Sequence, residues 1–106
     1  MGQGDFTGIP SLSGITPSFS KVNLATGAAG SAGTGTLAAG VLVVNTTAVT
    51  AASVILLTIK VAAGLLGELT VSAQSAGVSF TVTSVIPGGV LTQTSDTSTF
   101  NWLVIN

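Results

Sequence analysis

The residues best suited to acid–base chemistry in this sequence are its three carboxylates, Asp5, Glu68 and Asp96. The chain has no histidine and no cysteine, which removes the usual general base, the thiol nucleophile and the common zinc ligands. A glycosidase needs two carboxylates held several ångströms apart. Here Asp5 lies near the N-terminus, and no oxyanion donor accompanies the other two. We therefore expect no enzymatic activity, no metal site and no cofactor.

Two of these carboxylates have structural interpretations. Asp96 lies within a run of turn-forming residues, Gln-Thr-Ser-Asp-Thr-Ser, so its side chain is expected to bond turn amides. Glu68 and Lys60 flank a predicted hairpin turn, where they could form an exposed ion pair worth less than about 1 kcal/mol.

Three other motifs have possible binding functions. Gly33-Thr34-Gly35 lacks the Gly-Lys-Ser/Thr sequence and the following helix that a phosphate-binding loop needs. Asn45-Thr46-Thr47 fits the glycosylation acceptor pattern, but the N-terminal residues do not resemble a secretory signal, so we interpret it as a chance match. Phe100 and Trp102 could form a sugar-stacking platform. Their alternation along an apolar run favours core packing instead.

The small number of charges is the strongest compositional signal. Only 5% of the 106 residues are charged, the formal net charge is −1, and 46% are hydrophobic. Charged residues usually make up about 25% of a soluble domain. The chain therefore lacks the cationic surface that nucleic-acid binding needs. A free monomer would be poorly soluble, so we expect one domain whose surface is covered mainly by other subunits, with Ser and Thr aiding solvation.

A membrane span is the alternative way to cover an apolar surface. Residues 48–66 form a 19-residue stretch in which Lys60 is the only charge. Thr, Ser and Gly interrupt this stretch, its centre alternates like a strand, and no basic cluster flanks it. We expect a buried strand here and no membrane partner.

Alternation of apolar and polar residues between Gly, Ser, Asn and Pro clusters indicates antiparallel strands. In residues 68–74, for example, Leu69, Val71 and Ala73 fall on one face. The spacing of the runs favours an all-β fold, an antiparallel, jelly-roll-like β-sandwich. The predicted strands are residues 34–37, 41–44, 53–61, 68–74, 78–84 and 97–105.

The N-terminal third differs from the rest in composition. Residues 1–33 combine Gly, Pro and Ala with isolated apolar residues, which predicts an extended arm and a Gly/Ala-rich linker. Residues 34–106 then form the sandwich domain. The apolar residues expected to anchor the arm on a partner are Phe6, Ile9, Leu12, Ile15 and Phe19.

Two predicted strands are apolar on both faces. A small sandwich has one interior, so a two-faced strand needs a second buried surface, most simply a subunit interface. The alternative is that a loop or the arm folds over that face. The residues predicted for the oligomer interface are Ile55, Leu57, Ile59, Leu103 and Ile105.

Roughly two-thirds of the chain, from Leu37 to the C-terminus, resembles small β-sandwich modules of bacteriophage virions. Similar modules are capsid decoration, or cement, proteins, and others lie at the C-terminal ends of phage head and tail fibre proteins. The order of the matching blocks carries the resemblance: residues 40–50, 53–58, 69–73, 76–82 and 96–104.

The resemblance implies a homotrimeric virion protein on the outer capsid surface, with the major capsid protein as its partner. Such a protein would decorate and stabilise the capsid by binding across neighbouring subunits. The arms would lie on the shell, where bridging several subunits makes each later attachment intramolecular, and binding only the assembled shell stabilises it.

Three other functions remain open. A fibre or spike tip that binds a host-surface receptor or glycan would need the same self-associating β-sheet surface. A small membrane-active protein, or another cell-surface or secreted β-module, also fits the composition.

Overall fold

The computed structural model describes residues 23–106, and these residues form six β-strands and no helix. Residues 1–22, which contain Asp5 and the five predicted arm anchors, lie outside the described residues. The strands are β1 (Ala32–Thr36), β2 (Val41–Asn45), β3 (Val54–Val61), β4 (Glu68–Ser75), β5 (Ser79–Val85) and β6 (Thr99–Ile105).

The strands form two three-stranded antiparallel sheets that pack face to face. One sheet has the order β1-β6-β3 and the other β2-β5-β4, so β6 and β5 are the central strands. Only β4 and β5 are joined as a hairpin within one sheet; the other connections cross between sheets. The prediction of an all-β antiparallel sandwich is confirmed. The domain boundary at residue 33 stays a prediction, with β1 beginning at Ala32.

The core lies between the sheets and is built by alternate residues of the two central strands. On β6, Phe100 and Trp102 are buried, and on β5, Phe80 and Val82 are buried. The rings of Phe80 and Trp102 meet edge to face with centroids 5.4 Å apart, the favourable arrangement for an aromatic pair. Core packing of Phe100 and Trp102 is therefore confirmed, and neither ring is free to act as a stacking platform.

A bulge in β4 changes which residues face the core. The pairing with β5 shifts between Val71 and Ala73, and one extra residue in a strand reverses the faces beyond it. Ala73 is consequently exposed, whereas Gln74 turns inward and its Nε2 donates to the carbonyl oxygen of Thr50 at 2.9 Å. The expectation that Ala73 shares the inner face with Leu69 and Val71 was wrong.

The connection between β3 and β4 also differs from expectation. These strands belong to different sheets, so the residues between Lys60 and Glu68 form a crossing loop and not a hairpin turn. The reason is that β3 pairs with β6, which is distant in sequence, and hydrophobic alternation alone does not specify strand partners.

Candidate functional site

The outer face of the β1-β6-β3 sheet carries an apolar patch formed by Val54, Leu56, Leu103 and Ile105, which we call the outer patch. Strand register places Val54 opposite Ile105 and Leu56 opposite Leu103. Because side chains alternate along a strand, burial of Trp102 and Val104 toward the core directs Leu103 and Ile105 outward. Val54 is 56% exposed, Leu56 49% and Ile105 44%.

The outer patch ends where the same face becomes polar. Asn101 lies opposite Thr58 on β3 and opposite Thr34 on β1. Its Nδ2 donates to the Thr58 hydroxyl at 3.3 Å. The outer face therefore changes character along β6. It is polar near the start of the strand, where hydroxyl and amide groups lie, and aliphatic near the C-terminal end.

The predicted interface residues are distributed over both faces of the sheet. Leu103 and Ile105 belong to the outer patch. Ile55 and Leu57 face inward and are half-buried against the core. Ile59 follows them on the inner face but is 40% exposed beyond the core. The role of all five in an oligomer interface stays a prediction, as does the role of the five arm anchors outside the described residues.

Sequence reasoning did not assign Val54 and Leu56 to the interface. It recognised that β3 is apolar on both faces, but it had no signal for which face would oppose the core. The register with β6 supplies that information, because β6 has a clear inner face marked by Phe100 and Trp102.

Asp96 is fully buried and is bonded by three elements of the fold. The Ser84 hydroxyl donates to Oδ2 at 2.5 Å, the Gly67 amide donates to Oδ2 at 3.1 Å, and the Ser98 amide donates to Oδ1 at 3.0 Å. The Gly40 amide donates to the Asp96 carbonyl oxygen at 3.0 Å. The prediction that Asp96 bonds turn amides is confirmed.

The environment of Asp96 keeps its carboxyl ionised. Burial alone raises its pKa, but the hydrogen bonds of Ser84, Ser98 and Gly67 together lower it further, so the pKa lies below the ordinary 3.8. A carboxylate with a lowered pKa and bonded oxygens is a poor proton donor or acceptor near neutral pH. Its bonds join the β1–β2 turn, the β3–β4 loop, β5 and the segment that leads into β6, which indicates a structural role.

Between residues 23 and 106, the other candidate residues do not form a reaction centre. Glu68 is exposed at the start of β4, whereas Asp96 is buried. Gly33 and Gly35 lie within β1, where an added Cβ would come within 2.7 Å of Trp102 and 3.2 Å of Phe100, so these glycines make room for core rings. Asn45 ends β2, and the buried Thr46 donates its hydroxyl to the Gly30 carbonyl oxygen.

The part of the chain that the structure describes contains neither a metal-ligand cluster nor a membrane-spanning helix. Between residues 23 and 106 there is no group of three or more His, Cys, Asp or Glu side chains placed to hold a metal ion. No helix within these residues has the length and apolar character needed to cross a membrane. Residues 48–66, the stretch of highest apolar content, form turns, β3 and the crossing loop.

Comparison with known protein families gave a match over most of the chain. Residues 26–105 match the family model described as "K1 capsule-specific polysaccharide lyase, C-terminal domain". This range includes all six strands, the outer patch and Asp96. Neither the search of curated proteins nor the search of solved structures found a match.

Proposed function

The chain belongs to the family of K1 capsule-specific polysaccharide lyase C-terminal domains, and on this premise we propose that it is a structural module of a bacteriophage virion. In this proposal the module has no catalytic activity and assembles as a homotrimer through the outer patch. The family match agrees coarsely with the phage β-modules that the sequence resembles. The observation that carries the self-association is the exposed aliphatic cluster on a sheet whose other face already forms the core.

The outer patch has the properties of the centre of a subunit interface. It contains four aliphatic side chains and no charge, and interface centres are depleted in charged residues. Two of its members, Leu56 and Leu103, lie directly opposite one another in the ladder. A rim of Asn101, Thr58 and Thr34 borders it on one side, which is the polar border that interfaces usually have.

The low charge of the chain supports the same conclusion. Within residues 23–106 the ionisable side chains are Lys60, Glu68 and the buried Asp96, so two charges remain for the surface of this part. Soluble domains rely on many more surface charges. Covering the outer patch with other subunits removes the most apolar part of the β1-β6-β3 sheet from water.

Within this function, a role in a tail spike or fibre is the one that the family match favours. The family is described as a C-terminal domain of a polysaccharide lyase. A trimerising module of this kind would hold three chains together and present their loops toward a host surface. Binding of a host receptor or glycan is the associated proposal.

Capsid decoration is the second candidate, and the N-terminal sequence favours it. The five apolar residues from Phe6 to Phe19 occur among Gly, Pro and Ser with no charge between them. Such a segment suits apolar grooves on neighbouring major capsid subunits, and three arms on one trimer would bind through multivalency. In this case the protein would lie on the outer surface of the capsid.

A binding experiment separates the two roles. Fluorescently labelled full-length protein is incubated with host cells and with heads of the encoding phage that lack the protein. The spike or fibre role predicts binding to cells, retained after deletion of residues 1–20. The decoration role predicts binding to heads, abolished by the same deletion because the arm anchors are lost. Binding to neither target contradicts the virion function.

A further inference from the structure

The outer face of the β1-β6-β3 sheet is built in four successive layers that cross the strands. In an antiparallel sheet, residues that pair directly have their side chains on the same face. The register therefore groups the outer-face residues as Val54 with Ile105; Ala32, Leu103 and Leu56; Thr34, Asn101 and Thr58; and Thr36, Thr99 and Val61. The first two layers are aliphatic and none of the layers contains a charge. The third layer is entirely polar, and we call it the polar layer.

Asn101 is the unusual member of the polar layer. It is half-buried in the middle of a central strand, and asparagine is depleted in strands. Its Nδ2 donates to the Thr58 hydroxyl at 3.3 Å, and among the hydrogen bonds within residues 23–106 none ends on its Oδ1. The polar layer therefore has hydrogen-bonding capacity that these residues of a single chain do not use.

A subunit interface centred on the outer patch must extend over the polar layer. The outer patch has four side chains, whereas a stable interface of standard size uses about 20–30 residues on each partner. The polar layer directly adjoins the patch, because Asn101 and Leu103 are neighbours on the outer face of β6, and Thr58 and Leu56 are neighbours on that of β3. Contact through the patch therefore also covers the polar layer.

The polar layer meets different partners in parallel and antiparallel assemblies. In a trimer whose strands run along a three-fold axis, rotation keeps each residue at the same height as its copies, so the three polar layers meet. In an antiparallel dimer, with a two-fold axis across the strands, fully overlapping faces meet with their layers in reverse order. Asn101 would then lie against Leu103 of the other copy, and its amide would be buried without a partner, which is unfavourable.

We propose that the polar layer fixes the parallel orientation of the subunits, with Asn101 as the residue that excludes the antiparallel assembly. This orientation rests on the trimer of the proposed function. In the parallel arrangement, the Asn101 amides and the hydroxyls of Thr34 and Thr58 on neighbouring copies satisfy one another. A single asparagine in the apolar seam of a coiled coil specifies register and oligomeric state through the same penalty.

Sedimentation velocity of Asn101→Leu tests this selection. The natural chain should sediment as a single trimer, whereas Asn101→Leu should add a dimer, because leucine does not penalise the antiparallel contact. Asn101→Ser keeps a hydroxyl in the polar layer and should remain a trimer. The matched control is Thr81→Leu, since Thr81 is half-buried on the central strand of the other sheet; it adds a leucine away from the outer face and should leave the trimer unchanged.

Cysteine cross-linking identifies the orientation of the added dimer. The natural chain has no cysteine, so introduced thiols are the only ones that react with a short bis-maleimide. Thr99 and Ile105 lie at opposite ends of β6. Thr99→Cys should cross-link to its own copies in the otherwise natural trimer. In the Asn101→Leu background, an equimolar mixture of Thr99→Cys and Ile105→Cys chains should also give links between positions 99 and 105, identified by mass spectrometry.

Three results would overturn the selection by the polar layer while leaving the trimer intact. A single trimer for Asn101→Leu would mean that the layer excludes nothing. A dimer for Thr81→Leu would mean that any added leucine produces one. An Asn101→Leu dimer without links between positions 99 and 105 would mean that it is not antiparallel. A natural chain that is not a trimer would instead contradict the proposed function itself, and that result is obtained before any variant is made.

Discussion

Replacing Asp96 with alanine is expected to lower the free energy of unfolding by about 3–4 kcal/mol. The methyl group leaves the Ser84 hydroxyl and the amides of Gly67 and Ser98 without their acceptor, and each stranded buried donor costs about 1–3 kcal/mol. Urea denaturation at pH 7, followed by Trp102 fluorescence, measures the loss. The loss is a large fraction of the total stability of a small domain, which is about 5–15 kcal/mol.

The matched control for this substitution is Glu68→Ala, which removes an exposed carboxylate. It should change stability by no more than about 0.5 kcal/mol. If Asp96→Ala does not fold, Asp96→Asn replaces it, because the amide oxygen can still accept from Ser98. A loss for Asp96→Ala equal to that for Glu68→Ala would contradict the structural role of the buried carboxylate.

The same carboxylate gives the protein an acid sensitivity of defined sign. Its pKa is lower in the folded chain than the ordinary 3.8, so the folded state favours the ionised form. This contribution is complete above the unfolded pKa and is lost as the pH falls through the unfolded and then the folded value. The stability difference between the natural chain and Asp96→Ala should therefore be constant above about pH 5 and narrow below it.

Gly64→Ala is expected to destabilise the protein by at least about 3 kcal/mol, and Gly77→Ala by about 1–2 kcal/mol. Both glycines have φ of +70°, so alanine at either position incurs the same left-handed strain. They differ in surroundings: a Cβ on Gly64 would lie 1.9 Å from the carbonyl oxygen of Ser95, whereas a Cβ on Gly77 meets nothing within 4 Å. Thermal and urea unfolding of both variants give the comparison.

The clash of an added methyl group at Gly64 would also disturb the hydrogen bonds of Asp96. Gly64 bridges to Asp96, and the neighbouring Leu65 amide donates to the Ser95 carbonyl oxygen at 3.1 Å. Moving this oxygen to accommodate a methyl group disturbs the loop that carries Asp96. Equal destabilisation by Gly64→Ala and Gly77→Ala would mean that this contact is looser than the structure indicates.

Strand positions could be predicted from the sequence because alternation is a local signal. Phe80 and Val82 alternate with Ser79 and Thr81, and this pattern places β5 and its inner face correctly. Composition limits the available chemistry, since the chain has no histidine or cysteine, and the absence of enzymatic activity stays a prediction. The predicted bonding of Asp96 to turn amides followed from its neighbours in the chain.

The features that could not be predicted depend on contacts between distant residues. The register of β3 with β6 decides which face of β3 is inner, and both faces are apolar in sequence. The bulge after Val71 depends on pairing with β5. The role of Gly33 and Gly35 depends on the pairing of β1 with β6, which places them against Trp102 and Phe100.

Sedimentation velocity of the full chain and of Leu56→Asp tests the proposed self-association most directly. Leu56 is half exposed on the isolated chain, so aspartate there should leave the sandwich folded but place a charge at the centre of the outer patch, where desolvation is costly. The matched control is Val78→Asp, at a similarly exposed aliphatic residue beside the β4–β5 turn. The account predicts a trimer for the natural chain and for Val78→Asp, and a folded monomer for Leu56→Asp. A natural chain that is monomeric, or a Leu56→Asp variant that stays trimeric, would contradict it.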